Sequence, residues 1–346
     1  MKIVCVADTY INEEMMLNGV KPYMSENDEV KVFFFGQNDK SAMFATVKAL
    51  EEGKRLEIPV PEGLHEAVKD AEVLIVHLCP VNRDLLEAAP CLKAVMSCRG
   101  GMENLDIEAA SELGVAVSHN PAHNANAVAE FTIGMILSET RNICRSNFAL
   151  KNGQWRKDYP NTEITIREMQ DLTVGIVGYG SIGRLVAKKL VNFGCRILVA
   201  DPYATPGSED YVSFVSMDEL LEQSDVVTLH ARANGAIMTD REFAKMKDHS
   251  YLINSARSYL VDTEAFRKAM DSGKLLGAAI DVFETEPEIP QFYRDYDNIT
   301  ITNHRGGNTI NSYKDAPIFA IKNYLGFKNG EQLKFWANRN QIKNQR

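Results

Sequence analysis

At 346 residues the chain exceeds what one hydrophobic core ordinarily serves, so two domains and a cleft between them are expected. Hydrophobic residues make up 45% and charged residues 25%, ordinary globular values that exclude a disordered chain. A net charge of −9 without a dense Lys/Arg stripe excludes nucleic acid as a partner, and no apolar run approaches the roughly 20 residues that span a bilayer.

The chain opens on KIVCVA, an apolar run before a polar turn, and the start MKIVCVAD is too short and too soon polar for a signal peptide, so a cytoplasmic protein is expected. VKVFFFG (30–36), AEVLIVHLCP (71–80), LKAVMSC (92–98) and GVAVSHNP (114–121) repeat the pattern, with helix-compatible stretches such as RDLLEAA and IEAASELG between them. Unbroken apolar runs suit strands buried on both faces, which predicts an α/β domain with a parallel sheet. From Asn124 to about Asn152 the spacing of Val128, Phe131, Met135 and Leu137 predicts one long helix, about 40 Å at 1.5 Å per residue, able to cross between domains.

A second series follows: LTVGIVG, CRILVAD, SDVVTLH, SYLINSA, LLGAAIDVF and NITITNH, six strands separated by helical segments. The tail carries a helical piece, APIFAIKNYLGF, and is too short for a domain of its own, so it is expected to return to the first one. The division is therefore 1–120 plus 308–346, and 121–307. Six cysteines show no CxxC pair and no histidine at zinc-finger spacing, so neither disulfides nor a metal is indicated. Cys5, Cys91 and Cys195 read as core thiols, and Cys98 as a loop thiol that is either inert or more reactive than the rest.

LTVGIVGYGSIGRLVAKKL holds Gly178, Gly180 and Gly183 in GxGxxG spacing between an apolar strand and an amphipathic helix. Gly178 would permit the tight turn, Gly180 the approach of a pyrophosphate and Gly183 close helix–strand packing, with Ser181 and Ile182 offering N–H groups at the helix start. A GxGxxG alone is weak, because glycine-rich turns are common. Asp201, closing the next strand in RILVAD, makes it specific: an acid there accepts hydrogen bonds from ribose hydroxyls and repels a 2′-phosphate, favouring NAD over NADP.

Three later segments end apolar strands, the edge where ligands bind in open parallel sheets: INSARSYLVD (253–262), AAIDVFETEP (278–287) and ITNHRGG (301–307). Together with GYGSIG, the helix segment NPAHNANAVAEFTIG and the NGQW after it, they resemble the D-isomer-specific 2-hydroxyacid dehydrogenases, the family of phosphoglycerate, glycerate and D-lactate dehydrogenases, over about residues 70–325. The resemblance implies two doubly wound parallel-sheet domains, a Rossmann NAD-binding domain inserted into a flavodoxin-like substrate-binding domain. It implies that Arg257 holds the substrate's carboxylate and keto oxygen, and that Glu286 hydrogen-bonds His304. Asp281 resembles the family's acid near the nicotinamide carboxamide, and Ala256 and Gly306 join it, with His230, as cofactor-binding candidates.

Chemistry supports the trio independently. Reducing a ketone by hydride transfer builds negative charge on oxygen, which needs a proton donor and a cation nearby. His304 can donate near neutrality, a carboxylate beside it stabilises its imidazolium, and Arg257 offers a planar fork for two-point binding of a 2-keto acid. Taken singly, each has a plainer reading: a surface salt bridge, a solvated turn acid, a strand-end hydrogen bonder. Their conjunction with a nucleotide site decides for function. His230 reads as lining the nicotinamide side or capping a strand, and no GxSxG elbow supports a serine hydrolase.

The chain departs from the family pattern at SCRGGMENLD, where Arg99, Gly100 and Gly101 stand in the loop expected to take the substrate carboxylate. The glycines free backbone N–H groups for an anion. Arg99 either recognises a second anionic or polyhydroxy end of the substrate, as in a phosphorylated or sugar-derived hydroxyacid, or is tied to Glu103. Arg232 stands where a proline is usual, and Asn303 and Arg305 beside His304 also differ, Arg305 adding positive charge. A C-terminal regulatory domain is not expected. The function read from this is an NAD-dependent D-2-hydroxyacid dehydrogenase, a homodimer through the helix after Asn124, acting on a small 2-hydroxy or 2-keto acid. The alternative is a non-catalytic, corepressor-like NAD sensor on the same scaffold.

Overall fold

Five of the six residues of Lys2–Ala7 (β1) are buried, as the apolar run requires of a strand covered on both faces. The strand lies in a parallel sheet with Glu29–Phe34 (β2), Val73–Val76 (β3), Ala94–Ser97 (β4) and Ala116–Ser118 (β5), in the order β2-β1-β3-β4-β5. This is the flavodoxin-like order, and it puts the chain's exits from β1, β3, β4 and β5 on one edge. The computed structural model describes residues 1–37, 39–159, 167–205, 207 and 209–342.

The helix Ile310–Lys328 returns to this sheet. Its Tyr324 hydroxyl donates to Glu72 at 2.8 Å, and beyond it Asn338 Oδ1 accepts from the N–H of Val117 in β5 at 3.0 Å. Gly19 permits the approach, since a Cβ there would stand 2.8 Å from Pro317 Cβ. The chain forms two compact units, Met1–Asn124 with Thr309–Arg346, and Ala125–Asn308. Residues 121–124 thus go with the first sheet and Asn308 with the second, where the sequence reading divides the chain at 120 and 307.

The second unit contains Thr173–Val177 (β6), Arg196–Ala200 (β7), Ser213–Phe214 (β8), Val226–Leu229 (β9), Ser250–Asn254 (β10), Leu275–Ile280 (β11) and Ile299–Ile301 (β12). They form one parallel sheet in the order β12-β11-β10-β9-β6-β7-β8. Seven strands stand where six are expected: β8 is a two-residue edge strand, partly solvated, and leaves no apolar run to read. The chain winds outward from β6 in one direction and resumes at β9 in the other, so the exits of β6 and β9 flank the switch point where such sheets bind ligands.

The single helix expected over 124–152 is two, Ala125–Thr140 and Ile143–Lys151. Asn142, at φ 55°, separates them, because asparagine enters the left-handed region at low cost and the helical ladder cannot pass through it. One cysteine reading changes, and the open one for Cys98 is decided in favour of the inert thiol. Cys91 is exposed rather than a core thiol. Cys98 is fully buried after β4, and burial pushes its thiol well above the usual range, so it is an inert core group and not a reactive loop thiol.

Candidate active site

β6 ends in the glycine-rich turn, and each glycine there answers a different steric demand. Gly178 has φ 95°, and a Cβ on it would lie 2.5 Å from the N of Ala231 and 2.6 Å from the carbonyl carbon of His230, in the segment that leaves β9. The glycine therefore serves close passage of the neighbouring chain as well as the tight turn. A Cβ on Gly183 would fall 2.1 Å from the Gly178 carbonyl oxygen, which enforces the packing of helix Ser181–Leu190 on the turn. Around Gly180 nothing stands within 4 Å, so the surface before the helix is open.

That helix starts at Gly180 without a side-chain cap, leaving the N–H groups of Ser181, Ile182 and Gly183 directed out of its positive end. Such an end suits a pyrophosphate. Asp201, just past β7, accepts from Tyr179 N at 2.6 Å through Oδ2 and from Tyr203 N and Ala204 N at 2.8 and 3.2 Å through Oδ1. The acid thus ties the next loop to the glycine turn while staying partly exposed beside it. Open turn, bare helix start and adjacent acid fit NAD, whose phosphates Gly180–Ile182 would take and whose adenosine ribose Asp201 would take.

His230 follows β9, with Nε2 3.0 Å from the Thr228 hydroxyl and a buried Nδ1 that has no hydrogen-bond partner among the described residues. Burial pushes its pKa down to about 3, so the ring is neutral at physiological pH and cannot act as a cationic acid.

The trio falls on three neighbouring strands. Arg257 follows β10, Glu286 lies beyond β11 and His304 follows β12; because these strands are parallel and paired in succession, all three leave at the same edge. His304 Nδ1 is 2.9 Å from Glu286 Oε2, and Glu286 Oε1 accepts from Phe283 N at 2.9 Å. The ring is half exposed and the carboxylate one-third, so the pair reaches solvent and its ring nitrogen contact is on the Nδ1 side. Arg257 is exposed, with Nη1 donating to the carbonyl of Ala256 at 2.7 Å; among the described residues no ion pair joins it to Glu286.

Asp281 is buried, 1% exposed, directly after β11. Its Oδ1 accepts from the Thr302 hydroxyl and from Arg305 N, its Oδ2 from Gly306 N at 2.8 Å, and its carbonyl from His304 N at 2.9 Å. The carboxylate therefore shapes the turn that carries His304, itself at φ 53°, a duty the sequence reading did not assign to it. Gly306 sits with its Cβ position 3.2 Å from Asp281 Oδ2.

In the first unit Arg99, Gly100 and Gly101 follow β4. Arg99 Nη2 pairs with Glu103 Oε2 at 3.3 Å, while its Nη1 is buried with no partner among the described residues. Gly100 offers its carbonyl to His119 Nδ1 at 2.8 Å. The same edge holds a pair that the sequence reading missed: Asp8 after β1 and His77 after β3, both buried, with Oδ2 2.8 Å from Nδ1. Desolvation opposes the Asp8 charge, but His77 and the N–H groups of Ile11 and Tyr10 outweigh it and hold the carboxyl below its usual value. A polar residue ending an apolar strand, the signal that found Asp201, would have found both.

A family model for the D-isomer specific 2-hydroxyacid dehydrogenase NAD binding domain matches residues 133–306. The glyoxylate reductase of Thermofilum pendens is 34% identical over 293 residues, covering 82% of this chain and 86% of that one. The hydroxypyruvate reductase of Thermotoga maritima is 33% identical over 268 residues, 75% of this chain and 86% of the other. Among solved structures, the NAD-complexed D-isomer specific 2-hydroxyacid dehydrogenase of Lactobacillus delbrueckii ssp. bulgaricus superposes with a TM-score of 0.79 over 98% of this chain and all of that one, at 20% identity, a likeness of fold.

Proposed function

We propose, for a chain that belongs to the D-isomer-specific 2-hydroxyacid dehydrogenase family, that His304 is the proton-transfer group of an NAD-dependent reaction on a 2-hydroxy or 2-keto acid, with Glu286 steadying it and Arg257 holding the substrate. The observation that carries this reading is the 2.9 Å contact of His304 Nδ1 with Glu286 at the sheet edge that also bears the dinucleotide turn. Gly178–Gly183 and Asp201 would hold NAD, which when bound would supply the hydride chemistry at the 2-carbon. In the reducing direction the proton on His304 Nε2 passes to the substrate oxygen as negative charge develops there; in oxidation the same nitrogen takes it back. Glu286 faces the Nδ1 side and stabilises the charged imidazole, and Arg257 presents a two-donor fork to carboxylate and carbonyl. His230, Ala256, Asp281 and Gly306 line or brace the cofactor side.

The substrate carries a second polar end in this reading. Its support is Arg99, whose Nη1 is buried and unpartnered while only Nη2 is spent on Glu103, a donor that a two-carbon acid would not require. A phosphorylated or sugar-derived hydroxyacid meets it, with the N–H groups of Gly100 and Gly101 beside it. A homodimer and a cytoplasmic location belong to the same reading. Ile143, Phe148, Leu150 and Trp155, exposed on and after the second of the two helices, support the dimer, and no helix among the described residues is long and apolar enough to cross a membrane.

The test is NADH oxidation against a panel running from glyoxylate and hydroxypyruvate to phosphorylated and sugar-derived 2-keto acids, repeated with His304→Ala. Loss of about 10²- to 10⁴-fold in kcat is expected, the usual worth of a general acid. An unchanged rate would remove His304 from its role, and NAD binding with no turnover on any keto acid would leave a cofactor sensor.

A further inference from the structure

The segment carrying His304 is held at its far end by Asp281, but its approach through β12 is held by a carboxylate from outside the sheet. Glu139, fully buried in the last turn of helix Ala125–Thr140, accepts through Oε1 from both the N–H of Thr300, at 3.1 Å, and the Thr300 hydroxyl. Its Oε2 is paired with Arg145 Nη2. Arg145, also buried, spends Nη1 on the Asn142 side chain at the helix break and Nε on the Asp297 carbonyl at 3.2 Å, just before β12. One carboxylate thus grips β12 directly at Thr300 and indirectly at Asp297. Gly277 in β11 makes room: a Cβ there would lie 2.4 Å from Glu139 Oε2 and 2.6 Å from Arg145 Nη2.

A buried ion pair is weak evidence for stability, because desolvation offsets its attraction; in some proteins it serves to fix one arrangement over others. Here the element fixed is the strand whose exit carries the acid–base candidate. Only Ile301 separates Thr300 from Thr302, where the bonds to Asp281 begin. Glu286 is held separately, through Phe283 N. A shift of β12 would therefore carry His304 away from a partner that does not move with it.

We propose that Glu139 is a positioning residue for the reaction, acting through Thr300 and the Arg145–Asp297 contact to set where the His304 imidazole stands relative to Glu286. This rests on His304 being the proton-transfer group. Displacements on the order of 1 Å can cost about 100-fold in rate, so a loosened strand is readable in kcat.

The experiment compares Glu139→Ala, Glu139→Gln and Thr300→Val in the full chain, with NADH and hydroxypyruvate as substrates and the ¹⁵N resonances of His304 as a second readout. Glu139→Ala is expected to lower kcat about 10- to 100-fold with KM for NADH within about threefold, and to shift or broaden the His304 Nδ1 resonance. Glu139→Gln, which keeps an acceptor for Thr300, is expected to recover most of the rate, and Thr300→Val to fall between. Asp225→Asn calibrates plain destabilisation: Asp225 is buried at the start of β9, on the opposite edge, bonded to Arg167, Lys247 and Thr173 N. It should lower Tm and leave kcat unchanged. A folded Glu139→Ala with unchanged kcat and His304 resonance overturns the proposal, as does a loss of kcat that Asp225→Asn matches at equal Tm. If Glu139→Ala does not fold, Thr300→Val decides by the same two readouts. Full activity of His304→Ala would instead overturn the role of His304, leaving the resonance to report whether Glu139 positions the ring.

Discussion

His304 Nδ1 and Glu286 Oε2 stand 2.9 Å apart although they are 18 positions apart in sequence, and the second carboxylate oxygen is anchored on Phe283 N. Glu286→Gln keeps the size and one acceptor oxygen but removes the charge facing the imidazole. Steady-state kinetics should show kcat for keto-acid reduction lower by about 10- to 100-fold with KM for NADH unchanged. A rate equal to the parent's would mean the carboxylate charge does not assist the histidine.

The glycine turn separates binding from folding. Alanine at position 180 meets no protein atom, so Gly180→Ala should melt with the parent yet bind NADH more weakly, because its methyl enters the space left for the phosphates. Gly183→Ala must displace the Gly178 carbonyl, 2.1 Å from the new Cβ, and should lose about 1–3 kcal/mol of stability. Thermal melts and NADH titrations of the two variants distinguish these outcomes; equal melting of both would contradict the packing role of Gly183.

The second polar end proposed for the substrate is tested at Arg99. Arg99→Ala should raise KM for phosphorylated or sugar-derived keto acids at least tenfold more than KM for glyoxylate, since only the larger substrates offer a group for the buried Nη1. If the ranking of substrates stays the same, Arg99 serves its pair with Glu103 and nothing more.

Two buried groups should give stability opposite slopes below neutrality. Burial, with repulsion from His77 and Arg99, pushes His123 down to about 4 against the pull of the Asn120 carbonyl. Its neutral form is the folded one, so its contribution is complete above pH 6.5 and is lost as pH falls through about 4. Glu139 has the opposite sign: burial pushes it up to about 7 against Arg145 and Thr300, so its contribution is complete below pH 4.5 and is lost as pH rises through about 7. In melting curves from pH 4 to 9, His123→Gln should remove a rise in stability between about pH 4 and 6.5, and Glu139→Gln a fall between about pH 4.5 and 7. Parallel curves for parent and variants would show these groups to be unlinked to folding.

What is legible in the sequence is local. Strands buried on both faces of a parallel sheet have to be apolar throughout, so KIVCVA, LTVGIVG and SYLINSA announce themselves, and the GxGxxG with Asp201 is readable because every part of it lies within one strand–helix–strand unit. Strand ends point to Arg257, Glu286 and His304 for the same reason. Pairing order, burial and side-chain contact are decided by segments distant in the chain. That β10, β11 and β12 are neighbours, that Cys98 is covered and Cys91 is not, and that Asn142 breaks the helix emerged only on folding. Glu139 shows the limit most clearly: as a residue in the helical run LSETRN it reads as a solvated charge, and only the packing of helix on sheet brings Arg145 and Thr300 to it, 161 residues from Thr300 along the chain.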